Sequence, residues 1–120
     1  METKHSLVKS FSFAVNGVKT EFKKGRNFRI QIAIGALAVI AGFILKISLQ
    51  DWIVLTLIIA TVLILELINT AIEEIVNMVS PEIRTEAKIA KDVSAGAVLV
   101  ASIASIFIGF FIFLPKIFSL

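Results

Sequence analysis

The chain has no cysteine, no tyrosine and a single histidine among its 120 residues. The absence of cysteine excludes a disulfide framework, a thiolate metal site, a palmitoyl anchor and a cysteine nucleophile. The one histidine, His5, stands near the amino terminus, which excludes a histidine-centred metal site or catalytic triad. Any chemistry must therefore use carboxylates, amides, hydroxyls, lysine and arginine.

Charged residues are also scarce, at 18% of the chain, whereas 58% of the residues are apolar. Soluble domains carry about 25% charged and 45–50% apolar residues. A soluble domain of this size buries only about two-thirds of its chain surface, so many apolar side chains would face water. The composition therefore predicts an all-α membrane protein with a single domain spanning residues 1–120.

Three apolar runs predict three membrane-spanning helices. The second run opens at Trp52, a residue favoured at membrane interfaces, and reaches about Val79, since no proline or glycine interrupts it before Pro81. The third, from Val93 to Leu114, is 22 residues without a charge and ends at Pro115. The predicted spans are residues 30–49, 52–79 and 93–114, joined by short polar turns.

The segment before the first span predicts an amphipathic helix over about residues 6–22. Its apolar residues recur every three or four positions, which places them on one face, while the lysines point elsewhere. This pattern is typical of a helix that lies in the membrane surface with its basic face toward anionic headgroups. The alternative is a helix packed against its own protein. The apolar set is Leu7, Phe11, Ala14, Val15, Val18 and Phe22.

Basic residues are unevenly distributed around the predicted spans. Seven precede the first span and three lie between the second and third, against Lys46 and Lys116 on the other side. Positive charge favours the cytoplasmic side of a membrane. The amino terminus and residues 80–92 are therefore predicted to be cytoplasmic, and the carboxyl terminus is predicted to lie outside.

The second predicted span carries a polar stripe. Glu66, Asn69, Thr70, Glu73 and Asn77 lie within about a 100° arc of one helix face. If about 30 Å of hydrocarbon begins at Trp52, Glu66 lies roughly 9 Å below the cytoplasmic boundary of the hydrocarbon. Glu73 then lies at that boundary. Such residues persist in membranes mainly when they are paired or functional.

Two interpretations of this stripe are open. In the structural one, Glu66 and Asn69 hold helices together through hydrogen bonds. In the functional one, two carboxylates and an amide bind Mg²⁺, which shares its ligand shell with phosphate oxygens. A carboxylate at lipid depth would then act as a general base on a hydroxyl.

Residues 82–92 contain three acids and three bases. They are interpreted either as the solvated start of the third helix or as a site in which Lys91 neutralises phosphate and Asp92 joins a metal or ribose contact. Neither of the common glycine-rich phosphate-binding motifs occurs in the chain. Two other classes remain possible from the residues alone: a small proton-coupled transporter, or a scaffold without catalytic activity.

Several short motifs occur together in this chain. They are Glu66-Leu-Ile-Asn69-Thr70-Ala-Ile-Glu73, Ser80-Pro81-Glu82, and Ala90-Lys91-Asp92-Val-Ser-Ala-Gly-Ala-Val-Leu99, with Asn16-Gly17 and Arg26-Asn27-Phe28-Arg29 before them and Phe113-Leu-Pro-Lys116 after them. In this combination the chain resembles the prokaryotic diacylglycerol kinases, a family of small membrane lipid kinases. The motif from Ala90 to Leu99 and the motif from Phe113 to Lys116 resemble the branch typical of Gram-positive bacteria, which prefers undecaprenol.

The resemblance implies phosphorylation of a membrane lipid alcohol, undecaprenol or diacylglycerol, by ATP with Mg²⁺ in the bacterial cytoplasmic membrane. It implies that Glu66 is the catalytic base and that Glu73 binds magnesium on the nucleotide phosphates. It also implies a homotrimeric bundle with sites shared between neighbouring subunits, and no nucleic acid partner is expected. ATP contacts are implied for Glu73, Glu82, Arg84, Lys91 and Asp92, and support of the site for Asn69, Thr70, Arg29 and Ala95.

The chain departs from the family pattern at two positions. An acid that supplies a second metal ligand commonly stands where this chain has Gly25, and another acid commonly stands at the position of Asn77. The ligand shell of the Mg²⁺ ion would then be completed by phosphate oxygens, water, Glu21 or Asn77. The departures indicate either drift within a branch or a catalytically weakened kinase.

Overall fold

The computed structural model describes residues 6–82 and 84–119, so His5 lies outside the described part of the chain. These residues form four helices and no strand: α1 (Leu7–Lys24), α2 (Arg26–Leu45), α3 (Leu49–Val79) and α4 (Thr85–Phe118). Three of the helices, α2, α3 and α4, are long and apolar enough to cross a membrane. The predicted all-α class with three candidate spans is therefore confirmed.

Short capping signals determine where the helices begin and end. The Ser6 hydroxyl accepts a hydrogen bond from the Lys9 N–H at 3.1 Å, and Ser48 accepts one from Asp51 at the same distance. Lys46 ends α2 in the left-handed conformation, with φ of 54°. Because of the turn at residues 46–48, α2 ends before the predicted boundary at residue 49, and α3 begins earlier than the predicted 52.

The first two helices are separated by one residue, Gly25, whose extended backbone ends α1 and starts α2. As a result α2 begins at Arg26, four residues before the predicted span. The helix α4 also exceeds its predicted span at both ends, because it starts at Thr85 and continues through Pro115 to Phe118. In an apolar environment a helix that continues past proline leaves fewer backbone groups without partners than one that stops there.

The lengths of the helices differ. At 1.5 Å per residue, α2 is about 30 Å long, while α3 and α4 are about 46 Å and 51 Å. Only α2 matches the thickness of membrane hydrocarbon. Since α3 and α4 are joined by the short connection at residues 80–84, their excess length lies at the same end of the hairpin, next to the polar stripe of α3.

The interior is small. Its core cluster consists of Ile47, Leu55 and Ile112, against which Trp52 and Phe113 pack. Gly42 lets the Trp52 ring approach α2, because a Cβ there would lie 2.8 Å from Cη2 of the ring. Most large apolar side chains of the three long helices face outward instead, which is the distribution expected when lipid is the solvent.

The helix α1 contacts α2 and α3 and has one buried residue, Glu21. Apolar side chains along the rest of α1 are exposed, with Leu7 at 88% and Phe11 at 71% of their full exposure. An ion pair between Lys24 and Glu74, 3.2 Å from Nζ to Oε2, joins the end of α1 to α3.

Candidate active site

A cluster of polar side chains lies where α1, α2 and α4 meet the stripe of α3. Glu66 and Asn69 are buried, at 6% and 8% exposure, in a chain that buries few residues of any type. The residues of this polar cluster are Glu21, Gln31, Glu66, Asn69, Thr70, Glu73 and Ser94. Asn77, the last residue of the predicted stripe, is exposed.

Ser94 of α4 is linked to Glu73 through Asn69. The Ser94 hydroxyl donates to Oδ1 of Asn69, and Nδ2 of Asn69 donates to Oε2 of Glu73 at 3.4 Å. The first bond is buried, so it determines which way the amide of Asn69 is turned. The amide nitrogen is thereby directed toward Glu73, one helical turn nearer the charged end of α3.

Gln31 of α2 contacts the other carboxylate of the stripe. Its side-chain amide donates a hydrogen bond to Glu66, and the carboxylates of Glu21 and Glu73 are close enough to repel that of Glu66. The Oε1 atom of Gln31 is buried and has no hydrogen-bond partner. A buried acceptor without a partner is uncommon and is suited to a hydroxyl donor that arrives with a ligand.

Glu21 brings a carboxylate from α1 to the same face of α3. Its side chain is 5% exposed, and its Oε2 atom accepts a hydrogen bond of 2.8 Å from the Thr70 hydroxyl. Thr70, a predicted supporting residue, therefore links Glu21 of α1 to the stripe of α3.

An apolar groove of about 520 Å³ lies between α2, α3 and α4. Gln31 and Val62 line it near Glu66, and Phe113 and Ile117 line it far from Glu66. Ser102 and Ser105 are the polar side chains of its middle part, and Ser105 donates its hydroxyl to the Ser102 carbonyl at 2.6 Å. Gln31 belongs both to the groove and to the polar cluster, so one end of the groove lies at a side chain that contacts Glu66.

The remaining predicted ATP contacts lie outside the polar cluster. Together with Lys88, which was not a predicted contact, they form a charged strip along the α3–α4 connection and the first turns of α4, defined by Glu82, Arg84, Lys88, Lys91 and Asp92. Asp92 is exposed and accepts a 2.6 Å ion pair from Lys88, one turn earlier. Lys91 is half-buried, three residues before Ser94 and therefore on the face of α4 that meets α3.

Arg84 lines a second cavity, of about 440 Å³, together with Val79, Ser80 and Glu86. Glu82 is exposed beside it, and its carbonyl accepts a hydrogen bond from Ser80. Charged and apolar side chains both line this cavity, a composition suited to a polar molecule with an apolar part.

Two predicted supporting residues have other surroundings. Arg29 donates from Nη1 to the carbonyls of Phe22 and Lys23, at 2.8 and 2.9 Å, and so caps the last turn of α1. Ala95 is exposed on α4. Within the single chain neither residue reaches the polar cluster.

Ser94 and Gln31 were missed as site residues by the sequence reasoning, and Glu21 was considered only as a substitute metal ligand. Ser94 follows the Ala90-Lys91-Asp92 motif and Gln31 is a polar residue beside an apolar run, which are signals that could have selected them. Their contacts depend on how the helices are aligned against one another, and residue spacing within one helix does not carry that information.

Comparison with known proteins identifies the family of the chain. The family model described as prokaryotic diacylglycerol kinase matches residues 12–113. The chain belongs to the prokaryotic diacylglycerol kinase family. It is therefore a lipid kinase by family, and the transporter and scaffold alternatives are set aside.

Individual relatives cover most of the chain. An undecaprenol kinase from Bacillus subtilis is 39% identical over 91% of this chain and 89% of its own length. A diacylglycerol kinase from Synechocystis is 41% identical over 96% of this chain and 66% of its own length. A diacylglycerol kinase from Sinorhizobium is 33% identical over 82% of this chain and 72% of its own length.

The donor set of the polar cluster can be compared with what Mg²⁺ requires in nucleotide sites. Mg²⁺ in nucleotide sites binds one or two carboxylates and takes its other ligands from phosphates and water. Among the residues that the structure describes, no three acidic or histidine side chains form a ready metal site. Glu73 of the stripe nevertheless provides a carboxylate, so the residues fit an ion that arrives with the nucleotide and takes its other ligands from phosphate and water.

Proposed function

We propose that the protein transfers the γ-phosphate of ATP to the hydroxyl of a membrane lipid alcohol, undecaprenol or diacylglycerol. The observation that carries the proposal is the apolar groove that meets the polar cluster at Gln31, the side chain in contact with Glu66. A lipid tail in this groove would place its hydroxyl at a buried carboxylate, with the unpartnered Oε1 of Gln31 available to accept a hydrogen bond.

Glu66 acts as the general base in this proposal. Its carboxylate takes the proton of the lipid hydroxyl while the hydroxyl oxygen attacks the γ-phosphorus of ATP. The bond from phosphorus to the bridging oxygen breaks, ADP leaves, and the proton passes from Glu66 to water. Such transfers depend mainly on positioning and charge neutralisation, which a cluster of prearranged hydrogen bonds can supply.

The nucleotide binds at the cytoplasmic end of α3 and α4. Glu73 lies about 10 Å along α3 from Glu66, which separates the base from the phosphate-binding end. Glu73 would hold Mg²⁺, which when bound neutralises charge on the phosphates. Lys91 contacts the phosphates, and Glu82 and Arg84 contact the adenosine end at the cavity beside the α3–α4 connection.

The working form is proposed to be a homotrimer. Within one chain Asp92 is exposed and pairs with Lys88. A neighbouring subunit would bring the charged strip of one chain and the polar cluster of another into one site. In the membrane, α1 lies in the cytoplasmic surface with its exposed apolar residues toward lipid, and the carboxyl terminus lies outside.

The test is transfer of labelled γ-phosphate by the purified chain in mixed micelles, with undecaprenol and diacylglycerol offered in separate reactions. We expect Mg²⁺-dependent labelling of at least one of the two lipids and little ATP consumption without lipid. A micelle of the same detergent containing only phosphatidylcholine is the matched control. Absence of labelling with either alcohol would contradict the proposal.

A further inference from the structure

Glu21 is the one buried residue of α1, and the reaction described above gives it no task. A carboxylate at 5% exposure loses most of its hydration, and this loss is costly unless another charge or several hydrogen bonds compensate it. The hydrogen bond from Thr70 is one such contact. The burial therefore requires a further partner.

The surroundings of Glu21 are negative. Its carboxylate and that of Glu66 are close enough to repel each other, and Glu73 adds a third negative charge. In the described part of the chain the ion pairs are Lys24 with Glu74 and Lys88 with Asp92, so none of the three carboxylates has a cationic side chain as a partner. A bound cation would compensate all three.

Gly25 explains how Glu21 reaches this position. The backbone of Gly25, with φ of −93°, is one that any residue adopts, so glycine is not required for conformation. It leaves room for the Glu21 side chain in this position, because a Cβ at position 25 would lie within 3 Å of both the carboxylate and the carbonyl oxygen of Glu21. The Glu21 carboxylate thus occupies the place next to residue 25 where the family commonly has an acid.

We propose that Glu21 supplies the second carboxylate ligand of the divalent cation that Glu73 holds on the nucleotide phosphates. The inference rests on the proposed function. It assigns a residue to the ligand position that has no acid in this chain, because position 25 is glycine. The carboxylate has moved by one helical turn, from residue 25 to residue 21, and the Thr70 hydroxyl orients it on the stripe of α3. Two carboxylates with phosphate and water are a usual Mg²⁺ shell.

The first experiment measures Mn²⁺ binding by electron paramagnetic resonance, using the full chain in micelles with a non-hydrolysable ATP analogue. Mn²⁺ replaces Mg²⁺ as the probe, and no turnover is needed. Glu21→Gln keeps the shape of the side chain and removes its charge, and we expect Mn²⁺ affinity to fall at least about 10-fold. Glu74→Gln, the same change on the exposed side of α3, is the control and should leave affinity unchanged.

The second experiment moves the acid back. A variant with both Glu21→Ala and Gly25→Glu should bind Mn²⁺ within about three-fold of the unaltered chain, because the Glu21 carboxylate, the group nearest a Cβ at position 25, is then absent. Gly25→Ala alone should weaken binding, since its methyl group displaces the Glu21 carboxylate. The exchange keeps the inference testable even if Glu21→Gln fails to fold.

The outcomes separate this inference from the proposed function. Unchanged Mn²⁺ affinity in Glu21→Gln, with Glu73→Gln weakened, would overturn the role of Glu21 and leave the kinase proposal standing. An exchange variant that binds Mn²⁺ as poorly as Glu21→Ala alone would also overturn it. Failure of the unaltered chain both to bind Mn²⁺ with the nucleotide and to label lipid would overturn the two proposals together.

Discussion

The polar cluster and the charged strip differ in how their side chains are held. Glu66 and Asn69 are buried, and both have hydrogen-bond partners on other helices. In the charged strip, Asp92 is exposed and its partner Lys88 lies on the same helix. A side chain held from several helices keeps its position before a ligand arrives, whereas an exposed one is positioned by the ligand. The first region is suited to chemistry and the second to binding.

The comparison predicts the largest effect at Glu66. The variant Glu66→Gln keeps the size of the side chain but removes the base, so we expect turnover to fall about 10³-fold. The KM for ATP should change little, because the nucleotide binds farther along α3. The measurement is steady-state transfer of labelled γ-phosphate to lipid.

Glu74→Gln is the matched control for this change, since Glu74 is exposed on the same helix. Activity of Glu66→Gln close to that of Glu74→Gln would mean that the buried carboxylate is structural.

A smaller effect is expected at Ser94. Removing its hydroxyl in Ser94→Ala leaves Oδ1 of Asn69 buried without its donor, which costs about 1–3 kcal/mol. The amide then loses its fixed orientation toward Glu73, so we expect turnover to fall about ten-fold and half-saturation to require more Mg²⁺. Magnesium titrations of the kinase reaction measure both.

Ser94→Thr retains a hydroxyl and should restore the Mg²⁺ dependence. An effect of Ser94→Ala on thermal stability alone, with an unchanged titration, would limit Ser94 to a packing role.

In the charged strip the expected change is in binding. Arg84→Ala should raise the KM for ATP about five-fold and leave kcat unchanged. The change in KM is small because the variant loses one charged contact that is exposed to solvent. Lys116→Ala removes the same charge at the opposite end of α4 and should alter neither constant. A fall in kcat with an unchanged KM would contradict the division between the two regions.

The smallest effect is expected at the ion pair between α1 and α3. Both partners are more than half exposed, so Lys24→Ala should change the free energy of unfolding by less than about 1 kcal/mol. Thermal unfolding in micelles measures it, beside Lys19→Ala as a control. A larger loss would show that this pair, rather than Glu21, holds α1 against α3.

The fold was predictable because long apolar runs identify helices regardless of their neighbours. The helix boundaries were less predictable, since they depend on single residues such as Gly25 and Ser48. The prediction that the third span ends before Pro115 also missed the last turn of α4, which continues through this proline. The stripe from Glu66 to Glu73 followed from helical periodicity, but the partners Gln31 and Ser94 did not. Contacts between helices depend on how the two helices are translated and rotated relative to each other. The periodicity of one helix shows which residues share a face, but not which residues of another helix meet that face.

The route of the lipid to Glu66 is the central claim, and the absence of cysteine makes it directly testable. In Ser105→Cys the single thiol lies in the apolar groove, where a methanethiosulfonate reagent with an alkyl chain would fill the space. Val100→Cys, on the exposed side of the same helix, is the control. The measurement is lipid phosphorylation before and after modification, with nucleotide-dependent Mn²⁺ binding followed in parallel.

If the groove guides the lipid, modification at residue 105 abolishes phosphorylation and leaves Mn²⁺ binding intact, while modification at residue 100 changes neither. Undiminished lipid phosphorylation by the modified Ser105→Cys protein would contradict the claim.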